Sequence, residues 1–253
     1  MKIIYENPLR IAGILSNATA RELEKQRGKI RAFVKVGREI TSEYDFKNLD
    51  SIIRTEESIT KAFANIQQRL DRVDYALFWF LNTSPFDNTA FEYLKKGDEE
   101  KAVEIWEKVT TNKDVNSKNF SAFNNLGTYK LLRLDKFDIK RGIDAKIKLI
   151  ESDCFENFVH TTSGIEATID RTKQIKKLID LLLVEFKNQY SSSETLELFS
   201  NCNGASQKYL SKKFIEEPIH IIERQIGSAT ILDYCVKVLV VLRKSSITAH
   251  YAT

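Results

Sequence analysis

Helix breakers are scarce in this sequence. Nine glycines and three prolines among 253 residues fall far below the roughly 12% combined share of average proteins, so long helices are expected. Runs of alternating β-branched residues are equally rare, and the apolar residues recur at three and four rather than two, which argues against a sheet. The expected fold class is all-α, an irregular helical bundle or short solenoid of antiparallel helical hairpins. Cys154, Cys202 and Cys235 are odd in number and widely spaced, and they read as reduced core thiols rather than a disulfide framework. No CxxC or HxxxH spacing offers a metal site, and no P-loop or GxGxxG offers a nucleotide site, so no cofactor is expected. His160, His220 and His250 lie far apart, and none belongs to a recognisable nucleophile motif. The chain reads as a non-enzyme.

Long apolar runs are missing as well. The longest, residues 231–242, contains Asp233 and Lys237 and is too short and too charged to cross a bilayer. Residues 1–15 include Glu6, Pro8 and Arg10, which interrupt any secretory h-region. A cytoplasmic protein without a membrane partner is the expectation. A formal charge of +4 is too small by itself to imply a nucleic-acid ligand.

What is present is densest at residues 86–108. Phe86, Ala90 and Tyr93 recur at helical spacing before Gly97, where a helix stops in the left-handed conformation that glycine tolerates. Asp98 suits the next N-cap, Glu99 and Glu100 suit the positive end of its dipole, and Ala102, Ile105, Trp106 and Val109 make an apolar stripe. Small Ala102 beside Trp106 allows close antiparallel packing. Phe86, Ala90, Tyr93, Gly97, Ala102 and Trp106 together resemble a tetratricopeptide (TPR) unit. A second unit begins with Phe123, Leu126 and Gly127, and Lys146 stands where its second helix would carry a small residue. The resemblance implies a protein-binding scaffold whose first helices line a concave groove. It nominates Ser121, Asn124 and Thr128, three and four apart on one face, to hold the backbone of a protein or peptide partner.

The opening residues, NPLRIAGILSNATARELEKQRGKIRAF, place a short helix, a turn at Gly13 and an Asn-Ala-Thr start before a basic helix. They resemble the first half of a J domain, the family in which such a helix docks on an Hsp70-type chaperone. The His-Pro-Asp loop of that family is missing, since residues 33–38 read FVKVGR. The pairing resembles bacterial helical proteins that join such an opening to TPR-like repeats. Independently of any family, Arg27, Arg31, Lys35 and Arg38 lie four, four and three apart on one helix stripe. That stripe is a candidate docking face for an acidic protein surface. The alternative is a nucleic-acid or anionic-surface binder acting through the basic helix at residues 21–38.

Three regions follow: a J-like segment at 1–50, a TPR-like region at 51–152 and a C-terminal helical region at 153–253. Helices are expected at 8–14, 19–37 and 55–70, then through the aromatic-rich stretch 75–82, where Tyr75, Phe78, Trp79 and Phe80 are mostly core. One long amphipathic helix is expected over 163–190, with Ile165, Ile169, Ile175, Leu178, Ile179, Leu182 and Phe186 on one face. Further helices are expected at 194–199, 205–225 and 228–244, with Pro218 bending or splitting the middle one. An apolar face left bare on these last helices would favour self-association.

Overall fold

The computed structural model describes residues 1–47, 49–133 and 135–216, and every regular element among them is helical. The expected helix at 228–244 and the bend at Pro218, with His220, Cys235 and His250, lie outside the described residues.

Local signals set most of the boundaries. Short helix α1 (Lys2–Tyr5) precedes α2 (Pro8–Ala12), which ends at Gly13 with a φ of 69°, the left-handed conformation that glycine adopts without strain. Reciprocal capping boxes start α3 (Ala20–Lys35, from Thr19 and Glu22) and α4 (Glu56–Gln67, from Thr55 and Ser58). Helix α5 (Arg69–Leu77) follows directly. The expected hairpin is α6 (Pro85–Lys96) and α7 (Glu99–Thr110), joined at Gly97 with φ 86° and packed on each other. Then come α8 (Phe120–Leu132), α9 (Lys136–Glu151), α10 (Phe155–Ser163), α11 (Arg171–Phe186), α12 (Ser192–Leu198) and α13 (Gly204–Ser211), the last running into a π-helical turn at Lys212–Glu216.

Helix α8 is the axis of the molecule. Its residues are buried from Phe120 to Leu131, with apolar and polar groups spread around the whole circumference, the pattern of a helix enclosed on all sides. It packs against α7, α9, α6 and α10, while α10 also covers α5 and α2 lies on α4. A cluster of Phe46, Trp79, Phe80, Phe91 and Trp106, with ring centroids 5.2 to 6.0 Å apart, fills the space beside it in edge and stacked pairs.

Two expected helices are corrected. Residues 78–82 are not helical, because α5 stops at Leu77. Side-chain amides from elsewhere take over the backbone groups that a longer helix would have used. Asn7 donates to the carbonyls of Tyr75 and Phe78, and Asn124 donates to those of Ala76 and Trp79. Asn125 bonds both backbone groups of Leu81, and Asn17 bonds both of Asn82. The long helix expected over 163–190 is also shorter, spanning Arg171–Phe186. Gly164, with φ 96°, ends α10, and Asp170 caps the start of α11. Ile165 therefore sits in the connection, 82% exposed, whereas Ile175, Leu178, Ile179, Leu182 and Phe186 do form the buried stripe of α11.

Helices α8 and α9 cross where two glycines meet. A Cβ on Gly142 would stand 3.0 Å from the Gly127 carbonyl oxygen, the Leu131 nitrogen and Leu131 Cγ. Gly142→Ala is therefore expected to destabilise by about 1–3 kcal/mol, overpacking outweighing the ~1 kcal/mol helix-propensity gain. Gly28 of α3 has nothing within 4 Å of its Cβ position, and Gly28→Ala should stabilise by up to about 1 kcal/mol. Urea unfolding of both variants checks the pair, and a stabilised Gly142→Ala would contradict the tight crossing.

Candidate functional site

The polar face nominated on α8 is not a surface. Ser121, Asn124 and Thr128 are each 0% exposed, and every one is engaged internally. The Ser121 hydroxyl donates to Asp87 at 2.6 Å, and the Asn124 amide holds the carbonyls of Ala76 and Trp79. Thr128 and Asn124 receive the ammonium of Lys146, which donates to Asn124 O and Oδ1 at 2.6 Å and to Thr128 Oγ1 at 2.7 Å. Of the three, Asn124 does hold backbone, that of Ala76 and Trp79 of the same chain. A partner cannot reach them, and that part of the expected docking site is withdrawn.

Two ionisable side chains organise this interior. Asp87, 0% exposed, accepts from the backbone N–H groups of Thr83 and Ser84, the hydroxyls of Ser84 and Ser121, the Trp106 indole and the Asn125 amide. Lys146 is equally buried, and desolvation pushes its pKa well below the ordinary 10.5. Sequence reasoning missed Asp87, although Ser84, Pro85 and Asp87 spell a helix start in which the N3 carboxylate turns back to the cap.

Nothing among these residues assembles a reaction centre. Burial pushes the Cys202 thiol up to about 12, so it is not a thiolate at neutral pH. Cys154 precedes α10, and His160 of that helix faces Glu156 at 3.7 Å. Among the described residues no His, Cys, Asp and Glu cluster has the form of a metal site, and no helix is long and apolar enough to cross a membrane. A cleft of about 830 Å³ between α7, α8 and α9 is heavily charged. Six of its charged side chains pair with each other, Arg133 with Glu99 at 3.2 Å, Lys130 with Asp138 at 2.7 Å and Arg141 with Glu107 at 2.9 Å.

The basic helix is the opposite case. Residues 21–38 hold seven cations and two carboxylates, an excess larger than the +4 of the whole chain. Ile30 is the one buried residue of α3, so this charge is displayed on a helix that rests only lightly on the body. Arg27 pairs with Glu24 at 3.0 Å and lays its guanidinium over the Phe63 ring at 4.9 Å. Arg31, Lys35 and Arg38 are exposed and make no ion pair among the described residues. Beside them a furrow of about 630 Å³ runs between α3 and α4, with Arg31 and Lys35 on one rim and Val34, Ile59 and Phe63 in its floor.

The chain matches no family model, no curated protein and no solved structure. Function is therefore read from its own residues. The structure brings Arg27, Arg31 and Lys35 together along one furrow and carries Arg38 beyond the end of α3. Their stripe was readable from a spacing of four, but Ile59 and Phe63 of α4 were not, because which helix lies beside α3 is a tertiary matter.

Proposed function

We propose that this chain is a non-catalytic interaction scaffold whose docking face is the basic side of α3, and that its partner is an acidic protein surface. The carrying observation is the exposure of Arg31 and Lys35 on a helix with one buried residue and of Arg38 just past its end, none of them in an ion pair among the described residues. Uncompensated cations on a rigid element give electrostatic steering and a rim for complementary carboxylates. The apolar floor beside Arg31 and Lys35 favours a protein over a nucleic acid, since phosphate backbones gain little from Val34 or Phe63. The J-like opening makes an Hsp70-type chaperone the first partner to assay.

The test is capture of a partner from native cytoplasm, with and without ATP, by the wild-type chain and by Arg31→Glu/Lys35→Glu/Arg38→Glu. Reversal of the three charges is expected to weaken capture by ~10-fold or more while the helical circular-dichroism signal is unchanged. Equal capture by both chains would sink the proposal. The nucleic-acid alternative would show instead as tight oligonucleotide binding whose logarithmic salt dependence steepens by about 0.9 per phosphate neutralised.

A further inference from the structure

We infer that the furrow between α3 and α4 receives a short amphipathic helix of the partner, its apolar side on Val34 and Phe63 and two carboxylates, one turn apart, against Arg31 and Lys35. This rests on the proposal that α3 is the docking face and adds the form of what docks there. Three features of the furrow carry it. First, the rims differ in charge. The α3 rim carries Arg31 and Lys35, four residues and so roughly 6 Å apart along the axis, while beyond Glu56 at its start the α4 side is lined by uncharged Thr60, Ala64 and Gln67. An occupant with acids on one flank and neutral groups on the other matches both walls. Residues four apart on an occupant helix reproduce the same spacing.

Second, the apolar side of α3 is underused. Leu23, Phe33 and Val34 are only half-buried and Val36 is exposed, so a helix of sixteen residues is held largely by Ile30. Helix-in-groove recognition covers such a stripe with apolar anchors at helical spacing. Third, the basic rim is short. The Arg27 guanidinium lies over the Phe63 ring toward one end, and Glu56, the carboxylate in the lining, stands at the start of α4. Between Arg27 and Lys35 there are about two helical turns, roughly 12 Å, so a short helical segment fits and a long one would overrun.

The experiment is selection of random twelve-residue display peptides against the folded chain, followed by affinity measurement on two variants. Ala64→Glu places a carboxylate on the neutral rim at an exposed helical position, and Arg31→Glu/Lys35→Glu reverses the basic rim. The expected winners carry apolar residues three and four apart with carboxylates one turn apart. They should lose about tenfold or more in affinity for each variant. Unpatterned acidic winners that ignore Ala64→Glu but still fail on the basic-rim variant would overturn the helix-in-furrow inference and leave α3 as a docking face. Winners indifferent to both variants, or no winners at all, would overturn the inference. An unchanged partner capture by the charge-reversed chain would remove the docking face itself.

Discussion

Asp87→Ala is expected to destabilise the protein by about 4 kcal/mol or more, the range for stripping a buried charge from its hydrogen-bonded partners. The carboxylate is 0% exposed and collects six donors from three stretches of chain, residues 83–84, Trp106 of α7 and Ser121 with Asn125 of α8. Removing it leaves those buried donors without their acceptor. Asp87→Asn keeps the shape but turns an NH₂ toward groups that are themselves donors, so it should fall between wild type and alanine. Urea unfolding followed by far-UV circular dichroism and tryptophan fluorescence measures both. An alanine variant within about 1 kcal/mol of wild type would mean that the six contacts do not organise the core.

Lys146 gives the second large effect, and it depends on pH. Burial lowers its pKa from 10.5, and its amine meets only neutral acceptors, Asn124 O, Asn124 Oδ1 and Thr128 Oγ1. The unfolded chain therefore binds this proton more tightly than the folded chain. Between the lowered folded value and 10.5 the unfolded state carries more protons, so stability rises with pH, by up to about 1.4 kcal/mol per unit, and levels off above the unfolded value. Lys146→Met keeps much of the volume and removes the titration. The stability difference, wild type minus variant, is expected to grow as pH rises toward 10.5. Tyrosines with raised pKa values titrate in both proteins and cancel from that difference. Urea midpoints for the two chains at several pH values between 7 and 10.5 decide it. A flat difference would show that the amine is no harder to charge inside than outside.

What was legible in the sequence was what the chain settles locally. Gly97, Thr19 with Glu22 and Thr55 mark helix ends through contacts within one turn, and they lie where their residue types require. The non-helical stretch 78–82 was not legible because its hydrogen bonds come from Asn7, Asn17, Asn124 and Asn125, more than forty residues distant. Gly164 was a local signal overruled by an apolar period that happens to continue through Ile165 and Ile169 on the far side of the break. Of the polar residues expected on α8 to hold a partner's backbone, Asn124 bonds carbonyls of its own chain, while Ser121 and Thr128 bond the side chains of Asp87 and Lys146. The α3 stripe was visible as spacing, and the floor that turns it into a furrow was not.

The way α8 holds residues 76–82 has a consequence for how much of this chain is one folding unit. The α6–α7 hairpin and its successor look self-sufficient, yet cut free at 85–152 they would carry Asn124 and Asn125 without the backbone they grip. That backbone is in turn gripped from its other side by Asn7 and Asn17 near the start of the chain. Repeat proteins lengthen and shorten by whole modules because each module satisfies itself and its neighbour. Here the central helix is completed by a segment borrowed from upstream, so modules cannot be gained or lost at this point, and cooperativity extends from Asn7 to Lys146.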